Sequence, residues 1–444
     1  MSTAPTPSRS LAAAQAALDA NDPRAAFAAL RPLLEYPGDV AETARWAQAI
    51  GLFVPIAKAL CGEKLQWLAT VAARHADDPQ SIFDFGYELV EVGLPGVAAT
   101  ALARADRLKP RNPHIISELA AALENATHHR EVCDLLHRNR GLVESHFVLA
   151  YLLAFNAAMI GDLEESRRTL PLMRRLATPE EHWGAARIEG YLARADAARG
   201  HAPLDATDLR GWHFVLTGGL LLHVSPHGLD EGMRGRYAFV QDSPATCLEG
   251  IRRVALVLDA LDHRPERVLA PADRASAILA HATALALDLP IEPWPSHQPG
   301  LIVAYDLESI ARADAASLQA HRPGQILWGH ASRWTQPQPV AADLVTFLYQ
   351  DNRDPWGPQL RIDAATGKTH ESEPASGTPG ELGAQVASAT LAPDALSDGP
   401  ALAAFARAVR PAAAALRAEG ERERQLPGSP VPSNLLKAGL GPRG

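Results

Sequence analysis

One window constrains the fold of this chain more than any other. From Ser81 to Pro113 it reads SIFDFGYELVEVGLPGVAATALARADRLKPRNP, two amphipathic helical stripes joined by a turn at Gly93 and closed by Pro110. Gly86 and Ala98 are small where two antiparallel helices must approach closely. Leu89 and Leu102 fill the space between them, and Pro110 cannot continue the second helix. A single hairpin of this kind cannot bury its own apolar faces, so it requires stacked neighbours.

The neighbours are legible. A step of 34 residues lands on Ile116, Leu119, Ala120 and Leu123, a first helix in register. Its partner helix, from His128, carries Val132 and Leu136 but has Asn139 where a small apolar residue is usual. A third unit follows, with Ala154, Ala157 and Gly161 before Leu170 and Met173, and a helix from Glu180 to Arg199 is predicted to cap the stack. Upstream, Leu11 to Leu34 reads as another pair turning at Asn21 to Pro23, and Ala41 to Ala76 fills the interval irregularly. Roughly four or five pairs result, more than the about three that a stack needs.

The Ser81 to Pro113 window resembles a tetratricopeptide repeat: Ile82, Phe85, Gly86 and Leu89 occupy the signature positions of the first helix, and Ala98, Leu102, Ala105 and Pro110 those of the second. The resemblance implies a superhelix whose concave face, lined by first-helix residues, receives a peptide or protein. The groove candidates are Asp84, Tyr87, Glu88 and Glu91 in the best repeat, and Ser117 and Asn125 in the next.

Near residue 205 the pattern changes to short β-type runs alternating with helical stretches, so His201 to Arg210 is predicted as a linker between a helical domain (1–205) and an α/β domain (206–360). Phe214 to Val224, with Gly218-Gly219 at its centre, predicts a β-hairpin. Strands are expected at Tyr237 to Gln241, Arg267 to Ala270, Leu301 to Tyr305 and Gln325 to Gly329. The expected helices are Pro244 to Leu261, Asp273 to Leu287 and Ser309 to His321, an alternation that implies a parallel sheet. Ser332 to Trp356, an apolar run between Pro-containing turns, is expected to cover the sheet or a pocket mouth. The remaining 361–444 reads as a low-complexity tail with one helix, Pro400 to Glu419, broken at Pro411 and disordered from Leu426. The fold class expected is thus multidomain α and α/β, an N-terminal α-solenoid followed by a mostly parallel sheet.

The order RVLAPADRASAILAHATALALDLPI, then GLIVAYDLESIARADAASLQAHRPGQILWG, is similar to the core of a type I phosphoribosyltransferase. The resemblance implies a phosphate-binding loop after Tyr305. Asp306 keeps one acid of that family's pattern, but Ile310 and Ala311 place Cβ atoms where glycines would let the backbone wrap an anion. A remodelled pocket would use Asp273, Arg274, Ser276, Asp306 and Glu308. The plainer alternative is that Asp273 caps a helix and Arg274 is solvated.

Other groupings carry less. His129, Cys133 and His137 share one helical stripe, yet the two histidines stand about two turns apart and lack a fourth ligand, so no metal is expected. His213, His223 and His227, with Asp230 and Glu231, cluster at the expected hairpin and read as packing or surface residues. Trp212, Trp294, Trp328, Trp334 and Trp356 read as packing aromatics. No nucleophile elbow, Walker loop or dinucleotide fingerprint is present.

With 42 basic against 51 acidic residues and a formal charge of -9, no global field draws the chain to nucleic acid or an anionic membrane. Three widely spaced cysteines, Cys61, Cys133 and Cys247, fit a reducing compartment. Met1 to Leu18 lacks the pattern of a secretory signal, and no apolar run is long enough to span a bilayer. A cytoplasmic protein-protein scaffold without cofactor is therefore expected. The alternative is a sugar-phosphate or nucleotide enzyme or sensor, the one reading under which magnesium is a candidate cofactor.

Overall fold

Helix starts in the first half are set by short polar caps followed by proline. Asp78 accepts from the backbone of Ser81 at 2.9 Å and Asn112 from that of His114 at 3.0 Å, each directly before a proline. The computed structural model describes residues 7–38, 42–226, 232–358, 360–363, 366–417 and 419–433. Its two compact units divide between Ile188 and Glu189.

The first unit is a run of helical hairpins: α1 (Pro7–Asp19) with α2 (Pro23–Leu34), α3 (Thr43–Cys61) with α4 (Glu63–Arg74), α5 (Pro79–Glu91) with α6 (Pro95–Leu108), and α7 (Pro113–Asn125) with α8 (His129–Arg138). After the short α9 (Arg140–Val143) come α10 (Phe147–Met159) and α11 (Leu163–Leu176), then α12 (His182–Ala198). Gly86 is where α5 meets α6: a Cβ there would lie 2.7 Å from Leu102 Cγ, so only hydrogen fits without displacing that side chain. Gly93, at φ +78°, makes the turn between them. The interval read as irregular is a hairpin, α3 and α4, whose Phe53 meets Phe85 of α5 edge-on at 6.0 Å.

Division between the units falls inside α12, upstream of the linker expected from composition. Beyond it Arg194 Nε donates to Val215 O at 2.7 Å and Ala198 is buried in the core of the second unit. That unit then runs α13 (Leu209–Thr217), β1 (Leu220–Leu221), β2 (Tyr237–Gln241), α14 (Pro244–Ala260), β3 (Val268–Ala270), α15 (Arg274–Leu287), β4 (Ile291–Pro293), β5 (Gly300–Asp306), α16 (Leu307–Gln319), β6 (Gln325–Arg333) and β7 (Leu344–Arg353). A β-hairpin of β8 (Leu360–Ile362) and β9 (Thr369–Glu371) and two helices, α17 (Pro379–Ala387) and α18 (Gly399–Val409), follow.

The sheet is parallel in the order β1-β7-β6-β5-β3-β4, and β2 also pairs with β7, beyond β1. From β3 the chain goes outward to β4, then returns past β3 to β5, β6 and β7, which places a reversal of strand order between β3 and β5. In sheets of this kind ligands occupy the crevice at the carboxyl ends of the strands beside such a reversal. The large core packs Val268, Leu301, Val303, Trp328 and Leu344 against α14, α15, α17 and α18.

Three expectations are corrected. Phe214 to Val224 is not a hairpin: α13 ends at Thr217, Gly218 caps it at φ +79°, and β1 pairs in parallel with β7. A glycine with positive φ serves a helix C-terminus as well as a turn, and Gly219 is needed because a Cβ there would lie 2.3 Å from Ala342 O. The run within Ser332 to Trp356 is no cover but β7, an interior strand whose first six residues are buried.

The expected tail is built into the core. Leu382, Val386, Leu402, Ala406 and Val409 are buried there, and a Cβ on Gly383 would come within 3.0 Å of the α15 backbone. Its Pro and Gly content reflects several short, closely capped elements, among them the Thr378–Glu381 capping box. Val431 is buried and its carbonyl accepts from Arg236 at 3.1 Å, so Leu426 to Ser433 is placed; residues 434–444 lie outside the described residues.

Candidate functional site

On the first unit, α4 and α5 border a shallow, open cleft of about 360 Å³ lined by Lys64, Leu68, Phe83, Asp84, Tyr87 and Glu88. The spacing produces it: Lys64 and Leu68 lie one turn apart on α4, while Phe83 with Tyr87, and Asp84 with Glu88, lie one turn apart on α5. Glu88 is only 6% exposed and is ion-paired with Lys64, so it fixes the two helices together at the base of the cleft. Tyr87 is 45% exposed, and Trp67, one turn from Lys64 on α4, is 64% exposed. Asp84 is exposed and accepts from Gln80 Nε2 at 2.8 Å.

Of the groove residues expected from sequence, Asp84, Tyr87 and Glu88 line this cleft. Glu91 and Asn125 are exposed and Ser117 is half-buried. Lys64, Trp67, Leu68 and Phe83 were not anticipated. The available signal was Trp67 itself, an aromatic on the polar stripe of EKLQWLATVAAR.

Further along the first unit, Tyr151 of α10 meets Trp183 of α12 edge-on at 4.9 Å, with the Arg187 guanidinium 5.5 Å from the Trp183 ring and donating to Tyr151 Oη at 2.8 Å. Beside them Asn156 donates to Glu124 at 2.7 Å and shares its oxygen with His129 Nδ1 at 2.7 Å. His129 thus packs in a buried polar chain, while Cys133 is a buried thiol that burial pushes up to about 12. Burial pushes the Glu124 carboxyl up to about 7, against the Asn156 hydrogen bond and the Arg187 charge, which act to lower it. A carboxyl raised on folding holds its proton more tightly in the native state. Its contribution is greatest at low pH and is lost as pH rises from about 4.3 through 7. Glu124→Gln is therefore expected to gain stability relative to the parent between about pH 5 and pH 8, read from denaturant midpoints at the two pH values.

In the second unit each of the five expected pocket residues has a partner within the fold. Asp273 caps α15 by accepting from Ser276 N at 2.9 Å, while its other oxygen is buried without a partner. Ser276 is buried and its Oγ accepts from Tyr305 N at 2.9 Å, joining α15 to β5; Arg274 donates to Ala375 O at 2.6 Å. Asp306 caps α16 by accepting from Glu308 N at 2.9 Å and also accepts from the Tyr349 hydroxyl. Glu308 accepts from Arg333 Nε at 2.8 Å, and that guanidinium stacks 5.5 Å from the Tyr349 ring. Burial raises the Asp306 carboxyl, with the Tyr349 hydrogen bond opposing it.

Of the histidines grouped at the expected hairpin, His213 is buried on α13, where burial and Arg236 depress its pKa to about 4. His223 lies 2.7 Å from Tyr237 Oη and 3.4 Å from Glu249, and His227, Asp230 and Glu231 lie outside the described residues. Among the described residues no helix is long and apolar enough to cross a membrane.

The geometry of the first unit defines a helical-repeat protein of stacked hairpins. No family model matches the chain, and no curated protein matches it. Among solved structures, MamA (AMB-1) is 18% identical with a TM-score of 0.25, covering 39% of this chain and 94% of that one. MamA (MSR-1) is 16% identical with a TM-score of 0.23, covering 41% and 96%. Likeness at this level bears on neither partner nor activity.

Proposed function

We propose that the first unit is a docking module for a segment of a protein partner, and that the α4–α5 cleft is where the segment's anchoring side chain inserts. The observation that carries this reading is a shallow cleft between α4 and α5 walled in part by Phe83 and exposed Tyr87, with Trp67 exposed on α4. Interface energy concentrates in such residues, because they bury large area at small cost in side-chain entropy. Exposed Lys64 neutralises buried Glu88, leaving Asp84 and Glu91 as the charges on the α5 side. The segment that suits this chemistry carries an apolar or aromatic anchor flanked by lysine or arginine.

Anisotropy measurements with the full-length chain and peptides of that design test the reading. Tyr87→Ala or Trp67→Ala is expected to weaken binding about tenfold or more, and a charge-reversed peptide is expected not to bind. Equal binding of both peptide designs, or undiminished binding by both variants, overturns it.

A second reading rests on the partnerless buried oxygen of Asp273 beside the strand-order reversal: a small anionic ligand, such as a sugar phosphate with magnesium, held at the ends of β3 and β5. A saturable thermal shift with phosphoribosyl pyrophosphate and magnesium, lost in Asp306→Asn, is its expected result. An unchanged melting curve rejects it.

A further inference from the structure

A different set of side chains converges on the sheet face opposite Asp306. Tyr305 and Asp306 are consecutive on β5 and so point to opposite faces; Tyr305 lies with His330 of β6, their ring centroids 5.6 Å apart. Asp242 stands immediately after β2, and Cys247 lies in the first turns of α14. Asp242, Cys247 and His330 are all buried, and one ligand atom from each lies within 4.8 Å of the others.

Their geometry is centred on a single oxygen. Asp242 Oδ2 accepts from Tyr305 Oη at 2.8 Å and lies 3.1 Å from His330 Nε2 and 3.5 Å from Cys247 Sγ. Ser243 N donates to Asp242 Oδ1 at 2.7 Å and so orients the carboxylate. Two atoms of the cluster are left bare, however. His330 Nδ1 and Asn352 Oδ1 are buried without partners, although Asn352 Nδ2 donates to Tyr305 Oη at 3.2 Å.

We infer that Asp242, Cys247 and His330 bind a divalent cation of the zinc class, with Tyr305 Oη or a water in the fourth position. Thiolate, imidazole and carboxylate together are the donor set of zinc and its neighbours; magnesium and calcium take oxygen ligands. A tetrahedron with zinc-ligand bonds of about 2.0–2.3 Å has edges of about 3.4 Å. The 3.1 and 3.5 Å separations already match such edges, so the ion enters with little movement of Asp242.

On binding, the Cys247 S–H bond breaks, its electron pair goes to the metal, and one proton leaves to solvent. The Nε2 proton of His330 moves to Nδ1, where the ring borders Gly250; a Cβ there would lie 2.6 Å from Nδ1 and 3.2 Å from Thr346 Oγ1. With three protein ligands on β2's exit, α14 and β6, the ion ties the first turns of α14 to the sheet, and its binding free energy adds to folding.

The test uses the full-length chain, stripped by chelator and then given zinc or cobalt(II) alone. About one ion per chain is expected, with thiolate-to-metal charge-transfer absorption in the cobalt form and a higher melting temperature with zinc. Cys247→Ser and His330→Gln are expected to remove the absorption and the stoichiometric zinc while keeping the far-ultraviolet circular dichroism of the parent. The Cys61→Ser/Cys133→Ser double variant, which leaves Asp242, Cys247 and His330 untouched, is expected to keep the absorption, so the assignment stands or falls even where Cys247→Ser does not fold. Absence of stoichiometric zinc in the parent, or loss of the cobalt band in the double variant, overturns the inference.

Discussion

Replacing Arg422 by alanine is expected to destabilise the second unit by about 3–5 kcal/mol, the usual cost of stripping one partner from a buried ion pair. The Arg422 guanidinium donates to Asp343 at 2.7 Å and to the carbonyls of Leu318 and Gln325 at 2.9 and 3.3 Å. Asp343 stands just before β7, fully buried, and is held besides by His321 Nε2 at 2.9 Å and by Leu327 N at 2.7 Å. Removing the cation leaves a carboxylate without solvent and without its main counter-charge. Burial alone would raise the Asp343 carboxyl, but Arg422 and His321 outweigh it and hold it well below the usual carboxylate range.

The sign of the pH dependence follows. The stability contributed by this depressed carboxyl is present above about pH 4 and is lost as pH falls through the folded-state value. Urea unfolding of Arg422→Ala is expected to show the full loss near neutral pH and a shrinking difference from the parent as the solution is acidified. The exposed neighbour Arg424→Ala is expected to change stability by about 0.5 kcal/mol or less. An Arg422→Ala midpoint equal to that of Arg424→Ala would show that the pair is dispensable.

Phe85→Ala in the first unit is expected to cost a similar amount, about 3–5 kcal/mol, by a different route. The ring is fully buried on α5 and meets Phe53 of the preceding hairpin edge-on, so its removal leaves a cavity between stacked hairpins. A stack depends on neighbour interfaces, so the loss is expected to appear as an earlier, broader unfolding transition of the first unit, followed by circular dichroism. Glu91→Ala, on the exposed face of the same helix, is the matched control and is expected to leave the transition in place.

These two residues mark what could and could not be read in advance. Phe85 sits at a signature position of the window that announced the repeat, where spacing alone makes it a core residue. Arg422 sits in a stretch whose composition reads as tail, and nothing near it in sequence names Asp343 as its partner. The α4–α5 cleft was half legible for the same reason. Asp84, Tyr87 and Glu88 follow from the α5 periodicity, whereas Lys64 and Leu68 belong to a hairpin without a repeat signature. The Asp242, Cys247 and His330 group shows the limit most sharply, since its members come from a strand exit, a helix and a distant strand.

Sequence by itself determined most of the local elements: the helical pairs of the first half other than α3 and α4, and the alternation of strand and helix in the second. Each depends on residues within a few positions of one another, where side-chain periodicity and backbone conformation act directly. Only the tertiary structure decided that Gly218 ends a helix, that β7 is interior, that the Pro- and Gly-rich end completes the core, and which polar groups meet. Those outcomes depend on contacts between residues far apart in the chain. A glycine, an apolar run or a buried charge is compatible with several local conformations until the surrounding elements fix which backbone, strand or counter-charge lies against it.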